Sequence, residues 1–277
     1  MKKYYDIICL GYGPVTRQLI EYFTEYNFLI VSDRQNIELQ NAKSVTYSKF
    51  ALLIKNLSFT HVIVTIRLEF LSAETLNYVT HDREFWEFMC KCKVIVLSSV
   101  SVYGNSPKVH FELDSLYPLD EYSLKKMELE NLFVQNLATQ KLLILRISNL
   151  YGVPGLSTFF DNLKHAVHLK TPFSIPKTMC IRDFVNIYDF CKFVAYWKIY
   201  DVQINYQVMN FGTGVSTNLS DIIQLVQFVL GKDFETNIDL QEPVISVSRI
   251  SIDRLRLVWS KTLVEFDSAV LKSLIFN

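Results

Sequence analysis

The sequence lacks an excess of charge of either sign: Lys and Arg together number 28, and so do Asp and Glu. Proteins that mainly bind nucleic acid or anionic membranes usually carry a clustered basic surplus. The balanced charge gives no reason to expect either partner. We predict that the chain binds neither nucleic acid nor a membrane.

Cysteine is scarce and follows no pattern. The five are Cys9, Cys90, Cys92, Cys180 and Cys191. An odd, scattered set predicts free thiols in a reducing compartment. Cys90 and Cys92 lack further ligands at zinc-site spacing, and the five His residues share no ligand spacing, so we predict no metal site.

Long apolar runs are also absent. The chain begins MKKYYDIICLGYG, where a short apolar run is interrupted by Asp6. This start fits neither a secretory signal nor a membrane span. We expect a cytoplasmic protein.

What is present is enough apolar sequence for a large core. Half of the 277 residues are apolar and 20% are charged. This composition argues against disorder, and the length suits one large domain or a domain with a smaller lobe.

Short apolar runs alternate with helical patterns through the first half of the chain. The predicted strands lie in YDIICLGYG, FLIVSD, HVIVTI, KVIVLSS and KLLILRIS. Such alternation is typical of an α/β protein whose parallel sheet is covered on both faces. After Tyr151 the rhythm changes: DFVNIYDFCKFVAYW reads as a buried helix and QVMNFGTG as a returning strand.

The segment GYGPVT, residues 11–16, lies between the first strand and the first helix. A turn there can lay a pyrophosphate against the helix N-terminus. Gly11 and Gly13 permit the turn and the close approach of backbone to phosphate, and Pro14 and Val15 open the helix. We predict a dinucleotide site; a purely structural turn is the alternative.

Asp33 ends the second strand, where an acid binds the adenosine ribose hydroxyls. Its carboxylate would repel the 2′-phosphate of NADP, which favours NAD. Arg34 could instead hold that phosphate, so NADP stays the alternative.

The strand in VIVLSSVSVYGN ends in hydroxyls at Ser98, Ser99 and Ser101. Ligands of open parallel sheets bind outside the carboxyl ends of the strands. Downstream, YSLKK places Tyr122 and Lys126 one turn apart on one helix face. A nearby ammonium lowers the pKa of a phenol. Tyr122 could then exchange a proton with a sugar hydroxyl during hydride transfer, with Ser99 orienting the same oxygen.

Over most of its length the chain resembles the extended short-chain dehydrogenase/reductase family, the nucleotide-sugar epimerases and reductases. Similar segments are SSVSVYG, YSLKK, LRISNLYG, IRDFVNIYD and NFGTGVSTNLSDI. The resemblance implies a Rossmann-type doubly wound sheet over residues 1–150, with 183–213 returning to it. A smaller interleaved substrate lobe would comprise residues 151–182 and 214–277.

The resemblance also implies roles for single residues. Ser99, Tyr122 and Lys126 match the catalytic set, with Lys126 and Thr65 also at the cofactor. Asn149 matches a substrate contact and Arg182 a contact to the nucleotide diphosphate. From the residues alone, Asn149 could instead cap a turn and Arg182 could pair with Asp183.

These features predict an NAD(P)-dependent epimerase or reductase acting on a nucleotide sugar. The family's 4,6-dehydratases carry an Asp-Glu pair where Val100 and Ser101 stand, so we predict no dehydratase activity. Some segments depart from the family pattern, and one of them contains Arg67 after the fourth strand. These departures leave an alternative function, that of a dinucleotide-binding scaffold or regulatory protein with little catalysis.

The family often forms dimers through helices that include the Tyr-x-x-x-Lys helix. Leu132, Phe133 and Leu137 offer apolar side chains for such a face, or for covering the chain's own sheet. We expect a homodimer.

Overall fold

The computed structural model describes residues 3–34, 37, 39–58, 61–155, 159–176, 179–199, 207–230, 235–239, 245–261, 263–264 and 270–271. No helix within these ranges combines the length and the apolar character needed to cross a membrane.

Strands and helices alternate through the first half of the chain. The strands are β1 (Ile7–Leu10), β2 (Phe28–Val31), β3 (Ala42–Val45), β4 (His61–Val64), β5 (Lys93–Ser99), β6 (Val109–His110), β7 (Leu142–Ile147), β8 (Asn149–Tyr151), β9 (Phe173–Pro176), β10 (Ile181–Arg182), β11 (Phe184–Asn186), β12 (Val208–Phe211), β13 (Thr217–Asn218), β14 (Thr236–Asp239) and β15 (Arg249–Ile250). The helices are α1 (Pro14–Tyr22), α2 (Tyr47–Leu53), α3 (Ala73–His81), α4 (Arg83–Met89), α5 (Glu121–Asn136), α6 (Phe159–Leu169), α7 (Ile187–Ile199), α8 (Leu219–Leu230) and α9 (Asp253–Val258).

Seven strands form one sheet in the order β12-β7-β5-β4-β1-β2-β3. Strand β1 pairs in parallel with β2 on one side and with β4 on the other, so the sheet extends from β1 in both directions. Strands β1 and β2 are buried along their whole length, which explains their continuous apolar sequence. The order confirms the predicted doubly wound α/β fold, whose ligand crevice lies where the strand order reverses, between β1 and β4.

Contacts divide the chain into two compact units. The first comprises residues 1–98, 124–146 and 191–209, and the second comprises 99–123, 147–190 and 210–277. The two units interleave along the chain and are of similar length. Residues 99–123 also group with the second unit, because β6 pairs with β15 there.

The segment DFVNIYDFCKFVAYW is only partly helical. Its residues 184–186 form β11, which pairs in parallel with β8, and α7 begins at Ile187. The prediction of one continuous helix was therefore wrong at its start. Pairing with a distant strand, which the local pattern does not encode, determines this boundary.

Helix α5 directs the three apolar residues considered for a dimer face towards the chain's own core. Phe133 and Leu137 are buried in the apolar cluster of the first unit, and Leu132 packs against it. The second of the two readings is thus correct for these side chains. Leu124 and Val134 are the exposed large aliphatic residues of α5.

Candidate active site

The backbone conformation and the surrounding space differ between the two glycines of the first turn. Gly11 has φ +102°, and a Cβ there would lie 2.9 Å from the Thr65 hydroxyl oxygen. Gly13 is extended, and a Cβ there would meet no atom within 4 Å. The fold itself therefore requires Gly11, whereas the space beside Gly13 is open to a ligand.

Threonine hydroxyls join the turn to β4. The hydroxyls of Thr16 and Thr65 lie 2.8 Å apart, and each also contacts a backbone oxygen, of Gly11 and Leu10 respectively, at 3.3 Å. Thr16 occupies the third glycine position of the dinucleotide-binding pattern Gly-x-Gly-x-x-Gly, so a hydrogen bond stands where a glycine would allow closer packing. This arrangement holds the turn at the carboxyl ends of β1 and β4.

The N-terminus of α1 is suited to an anion. Gly13 is its N-cap and supplies no side-chain acceptor, and no acidic residue lies in the first turn. Pro14 has no N–H, so the next backbone donor is that of Val15. Free N–H groups and the positive end of the helix dipole together favour a phosphate.

The acid after β2 is held in a defined orientation. The Thr75 hydroxyl donates to Asp33 Oδ2 at 2.6 Å, and the Tyr47 N–H donates to Oδ1 at 3.4 Å. Asp33 and Arg34 are both exposed. Each carboxylate oxygen accepts more than one hydrogen bond, so Asp33 can still accept from ribose hydroxyls. Sequence reasoning did not identify Thr75.

Ser99 ends β5 and caps the short 3₁₀-helix Val100–Tyr103. Its hydroxyl oxygen accepts from the N–H and the hydroxyl of Ser101, at 3.2 and 2.9 Å. Because both contacts use Ser99 as acceptor, its own proton can be donated to another oxygen.

Tyr122 lies in the first turn of α5. Asp120 fixes that turn, since its side chain accepts from the Ser123 N–H at 2.7 Å and from the Ser123 hydroxyl at 2.6 Å. The Tyr122 side chain is 37% exposed, within reach of a substrate from solvent.

Lys126 follows Tyr122 by one turn and is 7% exposed. Its ammonium donates to the Leu97 carbonyl oxygen at 2.8 Å. Burial lowers the pKa of Lys126 to about 8; Glu69 and Glu130 oppose this shift, and Arg67 adds to it. The amine therefore changes charge close to physiological pH.

A buried carboxylate that sequence reasoning missed lies one further turn along α5. Glu130 accepts the Ser98 hydroxyl proton and pairs with the Arg146 guanidinium at 2.7 Å. The Ser98 hydroxyl proton is thus donated within the fold, whereas the two bonds of Ser99 to Ser101 use its oxygen as acceptor. The i+4 spacing of Glu130 from Lys126 was the available signal.

Asn149 and Arg182 contact the backbone of the second unit. Asn149 Nδ2 donates to the Asp183 carbonyl oxygen at 3.0 Å. The Arg182 guanidinium donates to the carbonyl oxygens of Ser246, at 2.8 Å, and Ile245. Among the described ion pairs there is none between Arg182 and Asp183.

The Asp183 carboxylate instead holds the turn after β12. It accepts from the N–H and hydroxyl of Thr213, at 2.9 and 3.0 Å, and from the Gly214 N–H at 2.6 Å. Burial raises the pKa of Asp183 to about 6, and the bonds from Thr213 and Gly214 oppose that shift. Asp183 therefore acts as a structural acceptor.

The second unit also contains a pocket of about 400 Å³. Its walls are mainly apolar and include Ile175, Pro176, Met179, Leu219, Ile238, Asn218 and Ser220. Across the described ranges, no cluster of three or more His, Cys, Asp or Glu side chains could hold a metal ion.

Known proteins share this architecture. The chain is 26% identical over 239 residues to dTDP-4-dehydro-6-deoxyglucose reductase of Escherichia coli, covering 82% of this chain and 73% of that protein. Among solved structures, UDP-glucuronic acid 4-epimerase from Bacillus cereus superposes with a TM-score of 0.75 at 18% identity over 97% of each chain. A dTDP-glucose 4,6-dehydratase from Bacillus anthracis superposes with a TM-score of 0.73 at 14% identity, over 97% of this chain and 94% of that one.

The family model described as "NAD dependent epimerase/dehydratase family" matches residues 58–212, more than half of the chain. The matched range includes β4, β5, the Tyr122 helix and the Arg182 segment. The protein is a member of the NAD-dependent epimerase/dehydratase family.

Proposed function

We propose that the protein is an NAD-dependent oxidoreductase or epimerase that acts on a nucleotide-activated sugar. The observation that carries this proposal is the buried Lys126, whose pKa is lowered to about 8 one helical turn from the exposed phenol of Tyr122. A cation at that spacing favours the phenolate form of Tyr122 near neutral pH.

Residues of the first unit would hold the cofactor. Gly13 and the α1 N-terminus, including Pro14 and Val15, would receive the pyrophosphate, and Asp33 the adenosine ribose. Thr65 and Lys126 would contact the cofactor from the ends of β4 and α5. NAD, when bound, supplies the hydride acceptor or donor. Arg34 is exposed beside Asp33 and is the residue that would serve NADP instead.

The chain's own chemistry is proton transfer. Tyr122 takes a proton from a sugar hydroxyl during oxidation and returns it during reduction. Ser99 donates its remaining proton to the same oxygen and orients it. Lys126 in its ammonium form stabilises the phenolate, so activity requires Lys126 to be charged.

The second unit would bind the sugar nucleotide. Asn149 would contact the sugar, and Arg182 would contact the diphosphate after exchanging some of its bonds to backbone oxygens. The similar proteins support a sugar nucleotide as the substrate, because they include a dTDP-sugar reductase and a UDP-sugar epimerase. The reductase similarity favours reduction of a ketosugar over epimerisation.

We further propose that a 4,6-dehydration is not catalysed. Val100 cannot donate a proton, and the hydroxyl of Ser101 donates to Ser99 and is a weak base. The dehydratase of similar fold is only 14% identical, so it carries no argument about chemistry.

We propose that the protein acts as a cytoplasmic homodimer. The cysteines are free, as a reducing compartment requires, and exposed Leu124 and Val134 lie along α5. Light scattering at micromolar concentration should give twice the monomer mass; a monomer would contradict the dimer.

The test of the activity is a screen of dTDP-, UDP-, GDP- and CDP-sugars and their 4-keto forms with NAD(H) and NADP(H), followed by mass spectrometry. We expect conversion of at least one compound, by a 2 Da change for a reductase or as an isomer for an epimerase. Conversion should be lost in Tyr122→Phe. A protein that binds dinucleotide but converts none of them would support the scaffold alternative.

A further inference from the structure

A buried network joins the helix of Lys126 to two strands. Glu130 Oε1 and Oε2 lie 3.0 and 3.2 Å from Arg146 Nε, and Oε2 lies 2.7 Å from Nη2. The Ser98 hydroxyl donates to the same carboxylate. Ser98 and Arg146 belong to β5 and β7, which are neighbours in the sheet. All three side chains of this Glu130 network are almost fully buried.

The network and Lys126 form two successive connections between α5 and the end of β5. Lys126 donates to the Leu97 carbonyl, and one turn later Glu130 accepts from Ser98, the next residue of the strand. Two connections fix both the rotation and the height of the helix against the strand. Ser99 follows directly in the chain.

We propose that the Glu130–Arg146 pair is a positioning unit for Lys126, holding its ammonium at the end of β5 and keeping it charged. This proposal deepens the proposed function and rests on it. A buried ion pair seldom stabilises a fold more than apolar side chains of the same volume would, so its presence beside Lys126 calls for a role other than stability.

The charges around Lys126 explain why a further carboxylate matters. Burial disfavours the ammonium, and Arg67 on the loop after β4 disfavours it further. Glu69 on the same loop, paired with Arg67 at 2.6 Å, and Glu130 on α5 favour it. Glu130 follows Lys126 by four residues on the same helix, which places it one turn away, and its carboxylate favours the charged amine.

The test measures the charge of Lys126 without cofactor or substrate. Acetic anhydride acylates only the neutral amine, and mass spectrometry of the Lys126 peptide across pH gives the midpoint. Wild type should show a midpoint near pH 8. In Glu130→Gln the midpoint should move to lower pH; a fall of one unit would raise the neutral fraction at pH 7 about fivefold.

Glu128→Gln is the matched control. Glu128 lies on the same helix but is exposed, paired with Lys125 at 2.8 Å. Solvent screens its charge, so its removal should leave the Lys126 midpoint unchanged. An unchanged midpoint in folded Glu130→Gln, or an equal shift in both variants, would overturn the proposal.

Glu130→Gln leaves Arg146 buried without its carboxylate and could fail to fold. The double variant Glu130→Gln/Arg146→Met removes both charges and keeps an acceptor for Ser98. If Glu130→Gln folds, the Lys126 labelling midpoint of the double variant should lie between those of wild type and Glu130→Gln. If Glu130→Gln does not fold, the midpoint of the double variant should still lie below that of wild type. A wild-type midpoint in the double variant would contradict the charge role.

Turnover supplies an independent readout. With an accepted sugar nucleotide, the alkaline limb of kcat should move in parallel with the labelling midpoint, while KM changes little. If labelling shifts but no sugar is converted by wild type, the proposed function fails and the charge role of Glu130 stands. If wild type converts a sugar nucleotide, but Glu130→Gln shifts neither the alkaline limb of kcat nor the Lys126 labelling midpoint, the Glu130 proposal alone fails.

Discussion

The ammonium of Lys126 donates to the carbonyl oxygen of Leu97 at 2.8 Å, deep at the carboxyl end of β5. This contact places a titratable cation where it is costly to bury and where a phenolate would need it. We therefore expect the buried ammonium to lower the stability of the fold while it serves the proposed proton transfer.

Lys126→Met should remove activity and raise stability. Below pH 8 the folded protein buries a charged amine, so methionine should stabilise it by about 1–3 kcal/mol. Between the lowered pKa, about 8, and the ordinary value of 10.5, the unfolded state binds more protons, so wild type gains stability as pH rises. The advantage of the variant should thus shrink over that window. Chemical denaturation at pH 7 and 10 measures it; a variant less stable than wild type at pH 7 would contradict the account.

Gly13→Ala and Gly11→Ala should separate ligand approach from folding. A Cβ at Gly13 meets nothing within 4 Å, so the variant should fold normally but lose dinucleotide affinity. Gly11→Ala should destabilise the fold, because φ of Gly11 is +102° and the added Cβ would lie too close to the Thr65 hydroxyl oxygen. Calorimetric titration with NAD and thermal unfolding report the two effects. Unimpaired NAD binding by Gly13→Ala would place the pyrophosphate elsewhere.

Much of this site could be predicted from local sequence, and some of it could not. The strands, the glycine turn and the Tyr122–Lys126 spacing are encoded within short segments. The bonds from Arg182 to Ile245 and Ser246, and the pairing of Glu130 with Arg146, join residues far apart in the chain. No local pattern indicates which distant backbone or charge completes such a contact, so burial of these groups became visible only in the folded chain.

Asp33→Ala should weaken NAD binding and narrow its advantage over NADP, because the carboxylate that repels a 2′-phosphate is removed. Thr75→Val keeps the carboxylate but removes the 2.6 Å hydrogen bond that orients it. We expect about a 3–10-fold loss of NAD affinity in that variant. Tighter binding of NADP than NAD by the wild type would instead assign cofactor choice to Arg34.

Asp183→Asn should destabilise the second unit by about 1–3 kcal/mol. In either orientation of the asparagine amide, its NH₂ group would face a hydrogen-bond donor. That donor would be the Gly214 N–H, which in wild type donates to Asp183 Oδ2 at 2.6 Å, or Thr213. The raised pKa of Asp183, about 6, means that wild type loses stability from this group as pH rises from 3.8 to 6. Denaturation at pH 4, 5 and 7 should show a flatter profile for the variant. Equal pH dependence would contradict the assigned pKa.

Turnover of Tyr122→Phe tests the central claim most directly. The substitution removes one hydroxyl and keeps the ring at a half-exposed position, so folding and NAD affinity should match wild type. We predict that kcat on the sugar nucleotide identified in the screen falls by about 10²–10⁴. Wild-type kcat in a folded, NAD-binding Tyr122→Phe protein would show that the proton is transferred by another group.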